Sequence, residues 1–187
     1  VYQTLLKKIA EVFQEHDIPY IIIGGQAVLL YGEPRLTKDI DVTLGMGVDR
    51  LNEVQNAVEI LELKQLLENV EDFVSETMVM PTVEESSGIR VDFIFSFSPY
   101  ERQAIERATA IQIDEVAVRF ATLEDVIIQK VIAGRARDLE DIRSILLKNP
   151  DYDREYIKRW IAEFDKALDE KYSRLFDRIE LEIKSSM

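Results

Sequence analysis

The sequence of 187 residues has no cysteine and a single histidine, His16. A disulfide framework, a thiolate metal site and a cysteine nucleophile are therefore excluded. A multi-histidine zinc centre is excluded as well, and serine chemistry would have to run through that one imidazole. His16 itself, at the end of a helical pattern, reads as a surface or helix-end residue. Long apolar runs are also missing. The longest, from Ile18 to Gly32, is interrupted by Gly24, Gly25 and Gln26, short of the ~20 residues that a membrane-spanning helix needs. Basic charge is scarce: 23 Lys and Arg stand against 36 Asp and Glu, a net charge of −13. Such a surface repels a phosphate backbone, so bulk nucleic-acid binding is not expected. The amino end mixes both signs of charge on a helical pattern and does not look like a secretory or organelle signal, so a cytoplasmic location is expected.

What is present is an ordinary globular mixture, 47% hydrophobic and 32% charged. Leu5, Leu6, Ile9, Ala10, Val12 and Phe13 recur at helical spacing and predict an amphipathic helix ending near Asp17. A buried strand follows in Tyr20-Ile21-Ile22-Ile23, running straight into Gly24-Gly25 and a short helix to Tyr31. Residues 37–44 alternate with the two-residue period of a strand that has one polar face. Residues 48–67 are helical by period, with Asp49 as the cap. Residues 78–80 and 89–95 predict two strands joined by a polar turn, and Ser98, Pro99 and Glu101 begin a helix. A short hairpin is expected over residues 111–118. Thr122 with Asp125 makes one capping box, Gly134 breaks the run, and Asp138 with Asp141 makes a second. Apolar residues from Ile157 to Ile183 repeat at three- and four-residue steps, giving one long amphipathic helix or two shorter ones.

The chemistry is carried by acids. Asp39 and Asp41 alternate with Ile40 and Val42, so the two carboxylates share one strand face. Like charges about 4 Å apart repel by roughly 4 kcal/mol at an effective dielectric of about 20, so such a pair needs a proton or a cation. A hard divalent ion with oxygen ligands is the natural counter-charge. Acidic pairs at this spacing also arise by chance in so acidic a chain, as at Asp151/Asp153 and Glu180/Glu182. Asp92 adds weight, being the lone acid in the apolar run Val91 to Phe95, where an unpaired charge would be costly. Three carboxylates on one sheet face would hold two metal ions about 3.5–4 Å apart, an arrangement suited to phosphoryl chemistry. Gly24-Gly25, where a strand enters a helix, lets backbone approach a ligand and aims helix-terminal N–H groups at phosphate. Arg35 and Lys38 are either phosphate contacts or surface charges, and the same alternatives hold for Lys130 and Arg137.

The combination of Gly24-Gly25, Asp39-Ile40-Asp41-Val42 and the apolar-flanked Asp92 resembles the signature of the polymerase-beta-like nucleotidyltransferase superfamily. Gly24-Gly25-Gln26-Ala27 with Arg35, Thr37 and Asp39-Ile40-Asp41 is similar to its minimal and abortive-infection (AbiEii-like) toxin branches. Lys130, Ala133, Arg135, Arg137-Asp138 and Asp141-Ile142 resemble a downstream helical motif of the latter. The resemblance covers residues 18–145 and implies an α/β (α+β) fold, a small mixed sheet flanked by helices. A nucleotidyltransferase-like domain is expected over residues 1–148. A helical extension over residues 149–187 then packs on the domain or on a partner.

The resemblance also implies Mg²⁺-dependent transfer of a nucleoside monophosphate from a nucleoside triphosphate to an acceptor hydroxyl. Asp39, Asp41 and Asp92 would hold two Mg²⁺ ions, or Mn²⁺, and Asp92 would also take the acceptor proton. Gly24 and Gly25 would cradle the triphosphate, with Gln26 where many members carry Ser or Thr, and with Arg35, Lys130 and Arg137 as further nucleotide contacts. The acceptor is left open among a small molecule, the end of a transfer RNA and a protein side chain. The alternative is a regulatory module, a nucleotide-binding or toxin–antitoxin partner, that does no chemistry. A homo-oligomer and an antitoxin partner are both compatible with the sequence.

Overall fold

The computed structural model describes residues 1–186 and divides the chain into two compact units, residues 1–26 with 36–121 and residues 27–35 with 122–187. The expected domain boundary at residues 148/149 falls inside the second unit.

The first unit opens with α1 (Tyr2–Glu15), whose buried residues Leu5, Leu6, Ile9, Ala10 and Phe13 form the stripe that the spacing predicts. The helix is closed by Asp17, which takes a left-handed conformation with φ 50°. β1 (Tyr20–Ile23) follows and passes without a linker into α2 (Gly24–Tyr31). β2 (Asp39–Leu44) then runs antiparallel to β1. Next come α3 (Leu51–Ile60), β3 (Lys64–Gln65), α4 (Val70–Thr77), β4 (Val79–Glu84), β5 (Ile89–Phe95), α5 (Pro99–Arg107), β6 (Thr109–Ile113) and β7 (Val116–Phe120).

The strands form one mixed seven-stranded sheet in the order β3-β4-β5-β2-β1-β7-β6. β2 with β5 and β1 with β7 are the parallel pairs. Ile22, Ile40, Val42, Val91 and Phe93 are wholly buried on one face. There the Phe13 ring meets Tyr20 and Phe93 at centroid distances of 5.4 and 5.6 Å. Burying each such side chain contributes about 1.5–3 kcal/mol, which fixes which strand face turns inward.

Several elements differ from the sequence expectation. The helix expected over residues 48–67 is a short 3₁₀ turn (Val48–Arg50) followed by α3 (Leu51–Ile60). The chain reverses there because Glu62 adopts φ 56° and the Leu63 N–H donates back to the Val58 carbonyl, a left-handed helix closure that carries Gln65 to the sheet edge. Asp49 lies within the 3₁₀ turn, and α3 starts after Arg50 with no side-chain cap. α4 buries only Val70 and Val74, too few apolar residues to mark a helix by period. Met78 closes α4 at φ 60° rather than opening a strand, so β4 begins at Val79. The expected start of α5 is present: the Ser98 side chain accepts from the Tyr100 and Glu101 N–H groups.

The second unit contains α6 (Leu123–Ala133), α7 (Ala136–Lys148), α8 (Arg154–Leu168) and α9 (Tyr172–Ser186). Thr122 caps α6 by accepting from the Asp125 N–H, and Gly134, at φ 61°, ends it. Asp138 is not the cap of α7. The helix restarts directly after Gly134, so Arg135 is the cap residue and Asp138 reaches back to accept its N–H at 3.2 Å. The closing region is two helices, separated where Asp169 takes φ 52°; Ile157, Ile161, Phe176 and Ile179 are among its buried residues. Among the described residues no helix is long and apolar enough to cross a membrane.

Candidate functional site

β2 and β5 run parallel in a register that sets Asp41 opposite Asp92 and Asp39 opposite Arg90. Paired residues on adjacent strands point to the same face, and so do residues two apart on one strand. Asp39, Asp41, Asp92 and Arg90 therefore share the face opposite Ile40, Val42, Val91 and Phe93. Their exposure agrees: Asp39 and Arg90 are exposed, Asp41 and Asp92 intermediate, and the four apolar residues between them buried. The sheet thus brings together the three acids that the sequence singles out, across a strand pairing that no local pattern specifies. On its other side Asp92 is paired with Pro81 of β4.

Each acid has a neighbour that restrains it. The Thr37 hydroxyl donates to Asp39 Oδ1 at 3.0 Å. Arg90 Nη2 stands 3.3 and 3.4 Å from the two Asp92 oxygens, so part of the negative charge is met by a guanidinium from the same strand. The Asp41 carboxylate lies over Gly24: a β-carbon added there would come within 2.0 Å of Oδ2. Gly24 also has φ 63°, so only glycine meets both the conformation and the close approach. At Gly25 an added β-carbon would come within 2.3 Å of Thr37 Oγ1. The two glycines therefore do more than bare the backbone at the start of α2. They leave the space that Asp41 and Thr37 fill.

Gln26, the third residue of α2, is 7% exposed, and its Nε2 has no hydrogen-bond partner among the described residues. An unmet buried amide donor costs about 1–3 kcal/mol, and such groups are uncommon away from functional sites.

Arg35 and Lys130 lie in the second unit and are engaged with acids there. Arg35 makes a bidentate pair with Asp141, Nε to Oδ1 at 3.0 Å and Nη2 to Oδ2 at 3.1 Å. Lys130 is buried, with Nζ 2.8 Å from Asp138 and 2.7 Å from Asp141, which is neither of the situations expected for it from the sequence. Arg135 closes the network on Asp138 at 2.6 Å. Burial pushes the Asp138 carboxyl up, but hydrogen bonds from Arg135 and Lys130 outweigh it and hold the group below its ordinary value of 3.8. Arg137 and Lys38 are exposed. His16 is exposed at the end of α1, its Nδ1 2.8 Å from the Val12 carbonyl. Sequence reasoning assigned no role to Arg90 or to the Thr37 hydroxyl. The two-residue period back from Asp92 is the available signal for Arg90; Thr37 is marked only by its place in the motif with Arg35 and Asp39, and the strand expected from residue 37 starts at Asp39, which leaves Thr37 in the preceding loop.

Among the described residues no three acidic or histidine side chains stand as a ready-made cage for an ion. Asp41 and Asp92 nevertheless lie on adjacent strands, about 4.7–4.9 Å apart in a sheet. Mg²⁺ is commonly held by one or two carboxylates with substrate phosphates completing its shell. An oxygen-only donor set of this kind, beside a helix start, fits such an ion.

A family model described as "Nucleotidyltransferase of unknown function (DUF6036)" matches residues 2–182. No curated protein matches the sequence. Among solved structures, the chain is similar to ANT(2")-Ia in complex with adenylyl-2"-tobramycin, at 20% identity over 89% of this chain and 98% of that one, with a TM-score of 0.58. It is similar to a nucleotidyltransferase-like protein from Paracoccidioides brasiliensis, at 15% identity over 95% and 91% of the two chains, with a TM-score of 0.57. A third is the lincosamide antibiotic adenylyltransferase LnuA bound to lincomycin, at 15% identity over 76% and 94%, with a TM-score of 0.51. At these identities the likeness is one of fold, and the mixed sheet with flanking helices is the nucleotidyltransferase fold.

Proposed function

The chain belongs to the nucleotidyltransferase family DUF6036, and from that premise we propose that it moves a nucleoside monophosphate from a nucleoside triphosphate to an acceptor hydroxyl at the acidic face of β2 and β5. The observation that carries this reading is the register of Asp41 with Asp92, with Asp39 on the same face and Gly24 beneath the Asp41 carboxylate. Asp39 and Asp41 would hold Mg²⁺, two ions and replaceable by Mn²⁺, and Asp92 would complete one site. When bound, the ion supplies neutralisation of the triphosphate and polarisation of the phosphoryl group under attack.

The chain's own residues do the rest. Backbone N–H groups of Gly24 and Gly25 at the start of α2 bind phosphate oxygens, and the unmet Gln26 amide donates to the same triphosphate. Asp92 takes the proton of the acceptor hydroxyl as its oxygen bonds to the α-phosphorus and pyrophosphate leaves. Arg35 and Lys130 shape α6, α7 and the segment before β2 through Asp141 and Asp138.

For the acceptor, a neutral or cationic small molecule is favoured over a transfer RNA end. The net charge is −13, and Lys130 and Arg135 are offset by Asp138 and Asp141. Adenylyl transfer onto an antibiotic, the activity named for LnuA, belongs to this acceptor class. Lys130, Arg135, Asp138 and Asp141, which carry part of the toxin-branch resemblance, here bind one another, so a toxin–antitoxin role stands second. Incubation with each α-labelled triphosphate, Mg²⁺ and a cell extract tests the reading. Label on a small hydroxylated compound is expected. Label on transfer RNA would overturn the choice of acceptor, and nucleotide binding without any labelled product would favour the regulatory or toxin–antitoxin module.

A further inference from the structure

We infer that Thr37, outside the acidic cluster itself, is a positioning residue that sets the Asp39 carboxylate for its cation and ties it to the glycine turn; this rests on the proposed function. Thr37 precedes β2 and is only 8% exposed, a polar side chain buried in a loop. It is held on three sides. Its hydroxyl donates to Asp39 Oδ1 at 3.0 Å, its carbonyl accepts from the Tyr2 hydroxyl at 2.8 Å, and its side chain fills the space that the missing β-carbon of Gly25 leaves.

These three contacts join separate parts of the unit. Tyr2 is the first residue of α1, Gly25 lies in the first turn of α2, and Asp39 opens β2. A carboxylate on an exposed strand end has free rotation about χ1 and χ2. A donor that occupies one oxygen removes much of that freedom and leaves the other oxygen to a ligand. Hydrogen-bonding partners of metal-binding carboxylates act in this way, and losing one typically lowers metal affinity 10–100-fold. Glycine at position 25 has the same cause. Any β-carbon there would push Thr37 Oγ1, and with it the Asp39 carboxylate, away from the turn.

The test compares Thr37→Val, which keeps the shape and removes the donor, with Thr37→Ser, which keeps the donor. Mn²⁺ binding to the whole chain is followed by electron paramagnetic resonance in the presence of a non-hydrolysable triphosphate, alongside the melting temperature without metal. Thr37→Val is expected to weaken Mn²⁺ about ten-fold or more, to raise the metal concentration needed for half-maximal transfer by a similar factor, and to leave the metal-free melting temperature near that of the parent. Thr37→Ser is expected to restore affinity to within about three-fold, and it decides the matter should the valine variant melt early. A serine variant as weak as the valine one overturns the inference. So does a valine variant that binds Mn²⁺ like the parent while Asp39→Asn does not, and the proposed function then survives. A parent protein that binds no Mn²⁺ with triphosphate overturns the proposed function and this inference together.

Discussion

Two groups of aspartates in this molecule meet their cations in opposite ways. In the second unit, Asp138 and Asp141 are 2% and 5% exposed, and three cations, Lys130, Arg35 and Arg135, converge on them. On the sheet of the first unit, Asp39, Asp41 and Asp92 share a half-open face with the guanidinium of Arg90. The first group is closed: its charge is satisfied inside the protein, and burial makes loss of any partner costly. The second lies on a face that solvent reaches, with Asp39 exposed and Asp41 and Asp92 half-buried. A buried carboxylate ringed by internal cations acts as a structural clasp, whereas one on an open face can be reached by an external cation. The difference is one of burial and setting, since both groups are aspartates, three residues apart on a helix in one place and two apart on a strand in the other.

The contrast breaks first at Asp41. Asp41→Asn removes one negative charge from the sheet face with almost no change in shape. It should lower transfer of labelled nucleotide by about three orders of magnitude or more, on the scale expected when a charge on which electrostatic stabilisation depends is lost, while the melting temperature shifts by a few degrees at most. Gly24→Ala sharpens the same side. The added β-carbon strains φ 63° and meets Asp41 Oδ2 at 2.0 Å, so transfer should fall about a hundred-fold, with a stability loss of about 1–2 kcal/mol by urea unfolding.

Lys130→Met tests the closed group. Two buried acids lose their shared cation, which should cost about 3–5 kcal/mol and lower the melting temperature by on the order of 10 °C in a chain of this size. If Lys130 were a solvated charge, calorimetry would show almost no shift.

Acid should separate the groups by a smaller margin. Asp138 is held below 3.8, its burial outweighed by Arg135 and Lys130. Glu180 is held below 4.5, its burial outweighed by Arg154 and Tyr152. Groups depressed in the fold add stability that is present above their unfolded values and lost as pH falls through the folded ones. The urea midpoint should therefore be flat from neutrality to about pH 4.5 and then decline, and Lys130→Met should flatten the decline because it removes one cause of the Asp138 depression. The smallest effect is expected at His16, which touches neither group: His16→Gln should leave both transfer and melting temperature within error of the parent.

Much of this is legible in the chain without coordinates. Tyr20-Ile21-Ile22-Ile23 and Val91 to Phe95 announce buried strands by β-branched and aromatic content, and Ser98 and Thr122 mark helix starts because a hydroxyl in that position satisfies N–H groups that the helix leaves over. That Asp39 and Asp41 share a face follows from the strand period alone. Other features escape for identifiable reasons. The end of α3 depends on a left-handed Glu62, which no composition rule flags. α4 is held by two buried valines. Lys130 looks like any exposed helical lysine until two acids from α7 are found around it. Thr37 sits in a loop, and its contacts lie far along the chain at Tyr2 or across a turn at Gly25.

By itself the sequence determined the kind of chemistry open to this protein: without cysteine and with one histidine, only oxygen donors are available in number, and a two-residue period puts a pair of them on one strand face beside a glycine turn. Periods of this sort come from covalent geometry and are written locally. Tertiary structure alone decided that Asp92 stands across from Asp41, that Gly24 lies beneath that carboxylate, and that Asp138 and Asp141 share the buried Lys130. Strand register and side-chain pairing are set by packing between segments distant in the chain, where a slip of one residue would turn Asp92 into the core and leave the face incomplete.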